Sequence, residues 1–339
     1  MKITERRPTT RSGFQVTALG LGAAAFGGLY QPCGAADALA TLAAAWEAGI
    51  RYFDAAPMYG LGRAEHLLGH FLRENVPAGA GAALSTKAGR LMARPRPGRD
   101  LPPAAPKNPL DPGWYNGLTF QEVFDYGYDG IMRSFDDSQQ RLGLPEIDLL
   151  YVHDIGRVTH AELHDRHWGA LTSGGFRALA ELRAAGLIKG FGLGVNEAEI
   201  IGRAMDEIDL DCCLLAGRYT LLDRSAATLL DRARAEGVAI VTGGVFNSGI
   251  LASAGEDGAR KFDYADAPAG IVAKTEDLAR ICARHGVPLG AAAIQFPLRH
   301  PAVCSVLVGA RSARQVATNV EWFERDIPAE LWNEVDAVA

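Results

Sequence analysis

The sequence is poor in several things that would have narrowed its function at once. Cysteine is scarce, five among 339 residues, with no CxxC pair. That excludes a disulfide-stapled scaffold and a thiolate zinc ribbon, and it suits a reducing, cytoplasmic setting. No apolar run reaches the roughly 18 residues of a membrane-spanning helix; the longest are broken by Gly, Pro or charge. Residues 1–13 are polar with several arginines and lack the apolar core of a signal peptide. Basic residues are not in excess: 34 Lys+Arg against 40 Asp+Glu give a net charge of -6, which offers no footprint for nucleic acid or an anionic membrane. With 48% hydrophobic and 22% charged residues, the composition is not that of a disordered chain. A cytoplasmic globular protein with a small-molecule partner is expected.

The chain alternates short apolar runs with helical patterns. Strands are expected at residues 16–21, 50–54, 82–86, 147–152, 189–195, 210–215, 238–242 and 305–308. Helices are expected at 37–48, 63–74, 129–142, 176–185, 197–207, 225–236, 276–285 and 313–323. Asp37 reads as the N-cap of the first helix and Gly49 as its stop. Strand–helix alternation argues for a parallel sheet, and eight units in one chain of this length predict an α/β (β/α)8 TIM barrel. No composition shift marks a second domain, so residues 1–339 read as one barrel domain. Residues 90–117 break the pattern as a Pro- and Gly-rich segment without periodicity, expected to be a long loop after the third strand at the barrel mouth.

One motif misleads. Gly20-Leu21-Gly22-Ala23-Ala24-Ala25 fits a dinucleotide-binding fingerprint, but the following residues are turn-like and the next strand-ending acid, Asp54, comes some 30 residues on rather than ~20. Small residues at a barrel-rim turn explain it better.

Four polar residues stand at or just past strand ends: Asp54, Tyr59 five residues later, Lys87 after Ser85-Thr86, and His153 after Tyr151-Val152. A barrel brings such ends to one mouth. Singly each has a bland explanation, though a lysine ending an apolar strand stays exposed unless paired. Together they suit a reaction in which hydride leaves or joins a carbon while a proton leaves or joins its oxygen. Tyrosine, with a pKa near 10, is a poor base at pH 7; a lysine ammonium beside it favours the phenolate.

Phe53-Asp54-Ala55-Ala56-Pro57-Met58-Tyr59-Gly60, Ser85-Thr86-Lys87 and Tyr151-Val152-His153-Asp154, with Gly194-Val195-Asn196 and Gly309-Ala310-Arg311-Ser312, resemble the motifs of the aldo-keto reductases over nearly the whole chain. The resemblance implies Tyr59 as acid/base, with Asp54, Lys87 and His153 tuning and orienting it. Asp129-Gly130-Ile131-Met132-Arg133-Ser134 and the third-strand loop resemble the branch that oxidises aldoses such as L-fucose or D-threo-aldose at the anomeric carbon to a lactone. Oxidation of pyridoxal at C4, or general aldehyde reduction, is the alternative. A non-enzymatic regulatory subunit is disfavoured by the intact four-residue set.

The family further implies a nicotinamide dinucleotide, NAD with NADP possible, since no side chain accepts hydride. Asn196 matches the carboxamide-binding asparagine. Val195 replaces the usual preceding serine, Ala216 the usual glutamine and Gly243 the aromatic that stacks on nicotinamide; Tyr219, Phe246 and Asn247 are candidates to compensate. Gly243, Gly244, Phe246, Asn247, Ser248 and Gly249 resemble the loop that wraps the pyrophosphate. Gly309 and Gln315 stand where many NADP-binding relatives carry Lys and Arg. Arg311 and Arg314 remain nearby, and Arg311 and Asn319 complete the expected cofactor contacts.

Trp114 and Tyr115, in an aromatic set with Phe120, Phe124, Tyr126 and Tyr128 beside Lys107, Asn108 and Asp111, are expected to wall a substrate pocket. His160, His164 and His167 have helical spacing but little ligand support, and read as a solvated surface segment rather than a metal site. Adjacent Cys212 and Cys213 lie in a strand, point to opposite faces and read as core.

Overall fold

Eight strands hydrogen-bond in parallel, each to the next, and the last pairs back onto the first to close a barrel. The computed structural model describes residues 1–11, 13–77, 79–94, 113–253 and 261–338. The strands are β1 (Leu19–Gly22), β2 (Tyr52–Asp54), β3 (Ala83–Ala88), β4 (Leu149–His153), β5 (Gly190–Val195), β6 (Cys212–Ala216), β7 (Ala239–Gly243) and β8 (Val303–Gly309). The (β/α)8 expectation holds. The helices that separate consecutive strands include Ala35–Ala48, Arg63–Asn75, Tyr128–Leu142, Phe176–Ala184, Ala198–Glu207 and Ala227–Glu236. Among the described residues no helix is long and apolar enough to cross a membrane.

Strand alternation sorts the core into two shells. Phe53, Leu84, Leu150, Phe191, Cys213 and Ile240 face outward into the cluster shared with the helices. Tyr52, Leu149, Tyr151, Cys212, Leu214 and Leu307 fill the barrel, so the two neighbouring cysteines do part to opposite faces. The inner shell holds a polar ladder. The Tyr52 hydroxyl lies 3.1 Å from the Tyr151 hydroxyl and 3.0 Å from Ser85 Oγ, and Tyr151 lies 3.5 Å from Cys212 Sγ. Buried hydroxyls need partners, and these supply one another.

Several boundaries differ from the sequence expectation. The run 16–21 splits: Gln15–Thr17 pairs antiparallel with Arg6–Pro8, and β1 begins only at Leu19. Val16 and Phe14 of this hairpin pack with the inner shell, which is why the run is apolar before the barrel strand starts. Gly34, not Asp37, caps the first helix; Asp37 sits in its first turn. The helix expected at 276–285 is Ala269–Arg284, its start disguised by the turn-like Pro268 and Gly270. Leu289–Gln295 and Ala329–Ala337 are helices the pattern missed, each short and entered through a proline. At the start of the segment read as an irregular loop, Arg90–Ala93 pairs antiparallel with Gln121–Phe124, just beyond that segment; four-residue strands are too short to show a period. Lys107, Asn108 and Asp111 lie outside the described residues.

The glycine-rich motif at residue 20 is packing, not phosphate binding. Gly22 ends β1 and leads into a short 3-10 helix, Ala23–Gly27. A Cβ on Gly20 would stand 2.7 Å from Leu307 and 2.8 Å from Tyr52, so the barrel interior itself requires glycine there.

Candidate active site

Asp54, Lys87 and His153 end β2, β3 and β4, neighbours in the barrel, and their side chains meet at its C-terminal mouth. Lys87 is 1% exposed. Its Nζ donates to Asp54 Oδ2 at 2.7 Å and to the Ala55 carbonyl at 2.8 Å. Asp54 also accepts from Ser85 Oγ at 2.7 Å, which ties the ion pair to the polar ladder below.

Tyr59 hangs over this pair from the loop after β2. That loop lies against the 3-10 helix after β1: a Cβ on Gly27 would stand 2.3 Å from the Gly60 nitrogen, and Gly60 itself has φ +65°. Two glycines in contact are what bring the loop close enough. Lys87 Nζ is 4.7 Å from the centre of the Tyr59 ring. The Tyr59 ring meets His153 edge-on at 6.0 Å and Trp114 at 5.6 Å between centroids. All four rings and charges touch a cavity that Tyr59, Lys87, Trp114, His153, Asp154 and Asn196 help to line.

Burial dominates the electrostatics. It pushes Lys87 toward the neutral amine, but Asp54 and Tyr59 outweigh it and the ammonium is held above its usual range. Tyr59 is raised: burial outweighs the lowering by Lys87. The expected direction of the lysine's influence is present, but the phenol in this site is a proton holder rather than a preformed phenolate. His153 is held well below the ordinary imidazole range by burial, with Arg90 and Lys87 adding to it, so its ring is neutral at pH 7. Its Nδ1 has no partner among the described residues.

The other expected contacts divide. Asn196 lines the cavity, its Nδ2 donating to the Ala216 carbonyl at 3.3 Å. Gly244, Asn247, Ser248 and Gly249 form a tight turn after β7 with φ of +63°, +44°, +60° and +100°. The Asn247 side chain is buried, and neither its nitrogen nor its oxygen has a partner among the described residues. Gly243 has room around it, with a built Cβ no nearer than 3.6 Å to any neighbour, and at Gly309 a Cβ would meet nothing within 4 Å. Asn319 is buried, Gln315 exposed and Arg311 half-buried. Tyr219 and Phe246 do not face the cavity: Tyr219 packs on Phe296 at 5.2 Å and Phe246 on Trp322 at 5.9 Å. Of the aromatic pair expected to wall a pocket, Trp114 lines the cavity, whereas Tyr115 is 68% exposed. Phe120 is exposed and Tyr128 bonds outward to Glu181.

The histidine reading is corrected. His160 and His164 are buried, not solvated, because the helical turns after β4 fold their faces inward. His160 stands 4.4 Å from His167 between ring centres and 2.9 Å from the Tyr126 hydroxyl; burial, with His167, drives it down to about 3. Among the described residues no group of side chains is arranged to hold a metal. The sequence pattern also gave no role to Ser85, Arg90, Asp154 or Tyr264, which reaches the cavity from a hairpin at Lys261–Asp266 with φ +65°. Only Asp154 carried a readable signal, its place directly after His153 at a strand end.

A parallel barrel whose mouth gathers a buried ion pair, a phenol and a neutral imidazole around one cavity has the build of an enzyme. The chain belongs to the aldo/keto reductase family, whose model matches residues 18–339. It is 65% identical to pyridoxal 4-dehydrogenase of Microbacterium luteolum over 334 residues, 98% of this chain and 96% of the relative. It is 42% identical to D-threo-aldose 1-dehydrogenase of a Pseudomonas species, covering 96% and 94%. Aldo-keto reductase AKR11C1 of Bacillus halodurans shares the fold, with a TM-score of 0.72 at 22% identity, covering 99% and 96%. The protein is thus an oxidoreductase that uses a nicotinamide dinucleotide.

The buried pair yields a prediction. Lys87→Met leaves the Asp54 carboxylate buried without its cation, which costs about 3–5 kcal/mol. The stranded carboxyl is then raised further by burial, so the protonated form is favoured in the folded state and the deficit shrinks as pH falls. Urea unfolding at pH 5 and pH 8 should show the larger loss at pH 8, partly recovered in Asp54→Asn/Lys87→Met. Equal losses at both pH values, with no recovery, would contradict the pairing.

Proposed function

We propose that the protein oxidises the cyclic hemiacetal of a pyridoxal-like substrate to its lactone, with Tyr59 as acid/base and NAD as the preferred dinucleotide. The observation that carries the chemistry is Lys87, buried between Asp54 and Tyr59 at the cavity floor. The 65% identity to a pyridoxal 4-dehydrogenase along nearly the full chain favours the pyridine substrate over an aldose. The two classes share one reacting group, since an aldehyde beside a hydroxyl-bearing arm closes to a hemiacetal in either case. Trp114, with an indole Nε1 that has no partner among the described residues, offers a flat apolar wall for such a ring.

Oxidation removes a hydride from the hemiacetal carbon and a proton from its hydroxyl. The dinucleotide, when bound, accepts the hydride. Neutral His153 donates a hydrogen bond to the substrate oxygen and fixes its direction. Tyr59 gives its own proton to solvent and, as the phenolate that Lys87 stabilises, takes the proton from the substrate hydroxyl; Asp54 and the Ala55 carbonyl hold the ammonium in place. The residues present fit a dinucleotide: the unsatisfied Asn247 amide and the left-handed turn around it form a cradle for a polar group, and Asn196 borders the cavity.

The NAD preference rests on the end of β8. A 2′-phosphate is best held by an Arg fork or Lys charge. Gly309 supplies neither, and Gln315 Oε1 is engaged by the Arg311 backbone N–H at 2.8 Å. NAD is expected to bind more tightly than NADP by equilibrium titration; a tenfold lower Kd for NADP would reverse the assignment.

The activity is tested by following absorbance at 340 nm with pyridoxal, L-fucose, other aldoses and simple aldehydes. Pyridoxal should show the highest kcat/KM, and aldoses outrunning it would move the substrate to the sugar class. Tyr59→Phe should lower kcat by about 10²–10⁴-fold, the range of a lost acid/base, with dinucleotide Kd nearly unchanged. Wild-type turnover in that variant would remove Tyr59 from the chemistry.

A further inference from the structure

A second buried cation stands beside the first. Arg90, 1% exposed, follows β3 and reaches across the mouth to the residue after β4. Its guanidinium pairs with Asp154 Oδ2 and with Glu122 Oε1, the latter at 3.1 Å. It also faces the Phe124 ring at 5.1 Å. A fully buried arginine is tolerated only with such partners, but its partner Asp154 is not merely a counter-ion. Asp154 lines the cavity next to His153, with its Oδ2 3.5 Å from His153 Nε2.

The backbone is bent to put it there. Asp154 has φ +45°, a left-handed conformation that residues other than glycine adopt only at a cost. Its N–H bonds the Gly194 carbonyl at 3.0 Å, and the preceding His153 carbonyl accepts from the Tyr126 hydroxyl at 2.7 Å. Strain held by surrounding bonds concentrates at functional positions. Arg90 from the hairpin pairs with the Asp154 carboxylate at the cavity wall, while the Tyr126 hydroxyl fixes the carbonyl of the preceding residue.

We propose that Asp154 is the specificity residue of the cavity and Arg90 its positioning residue, so that the Asp154 carboxylate accepts a hydrogen bond from a hydroxyl or ring N–H on the substrate, away from the reacting carbon. The proposal rests on the pyridoxal reading above and names the group that reads the ring. The Asp154 carboxylate lines the cavity, where a ligand donor can reach it. A site built to hydrogen-bond a substrate donor rejects the analogue lacking it far more strongly than an apolar wall does. The ring hydroxyl and ring nitrogen of pyridoxal carry such a donor; the same fused ring system without them does not.

The test separates recognition from turnover by using two lactones as ligands of the NAD-loaded protein, with calorimetric Kd values. One is the lactone of 4-pyridoxic acid. The other is phthalide, the same fused bicycle without ring nitrogen or hydroxyl. The wild type is expected to prefer the pyridine lactone at least about tenfold. Asp154→Asn, which keeps the shape and loses the charge, should remove most of that preference. Arg90→Met should also reduce it, while Arg90→Lys retains more, a graded response that a purely structural arginine would not give. A preference that persists in Asp154→Asn, or its absence from the wild type, overturns the proposal. Failure to oxidise pyridoxal while the lactone preference and its loss are seen would instead overturn the pyridoxal reaction and leave Asp154 as the ring-reading group.

Discussion

The arrangement at the barrel mouth depends on one interaction, the buried ion pair of Lys87 and Asp54. Moving an ammonium out of water carries an idealised penalty of order 20 kcal/mol, and several kcal/mol after relaxation. The structure meets it with two hydrogen bonds, to the Asp54 carboxylate and the Ala55 carbonyl, and with the Tyr59 ring beside it. Because Asp54 is in turn bonded to Ser85, and Ser85 to the Tyr52–Tyr151 ladder, the charge is fixed to the barrel interior rather than to a loop. An ammonium held this way cannot follow the phenol it faces. That rigidity lets it bias a proton equilibrium.

The same pair governs its neighbours through distance and dielectric. Lys87 pulls the Tyr59 phenol down while burial pushes it up, and burial wins. His153 lies close to two buried cations, Lys87 and Arg90, and both oppose a third positive charge. The mouth therefore presents two fixed cations, three carboxylates paired with them, a protonated phenol and a neutral imidazole. Each neutral group owes its state to a low-dielectric position beside a charge that is already paired, an arrangement that perturbs titration at functional sites generally.

Much of this was legible in the sequence, and for identifiable reasons. Strands such as Gly190–Val195 and Ala239–Gly243 are continuous apolar runs because helices cover their outer faces, so their number and spacing announce the barrel. Asp54, Lys87 and His153 stand out because polar residues rarely end such runs. What was hidden depends on long-range contact. Tyr219 is a plausible ring for the cavity by position, but Phe296 and His300 lie nearer to it in space. His160 reads as solvated until the turns after β4 fold it beneath Tyr126. Arg90 stands in a Pro- and Gly-rich stretch whose short antiparallel pairing has no period to detect, and its partner Asp154 is 64 residues away. Burial and pairing of charge are properties of the closed barrel, not of any local window.

The central claim is that the buried ammonium sets the proton affinity of Tyr59. It is tested most directly by titrating that phenol, with 13Cζ-tyrosine labelling and assignment of the Tyr59 resonance by its loss in Tyr59→Phe. In the free wild-type protein Tyr59 should titrate above the ordinary phenol range, and in Lys87→Met it should move further up, because the lowering by the ammonium is lost. A Tyr59 resonance that titrates identically with and without the lysine would contradict the account.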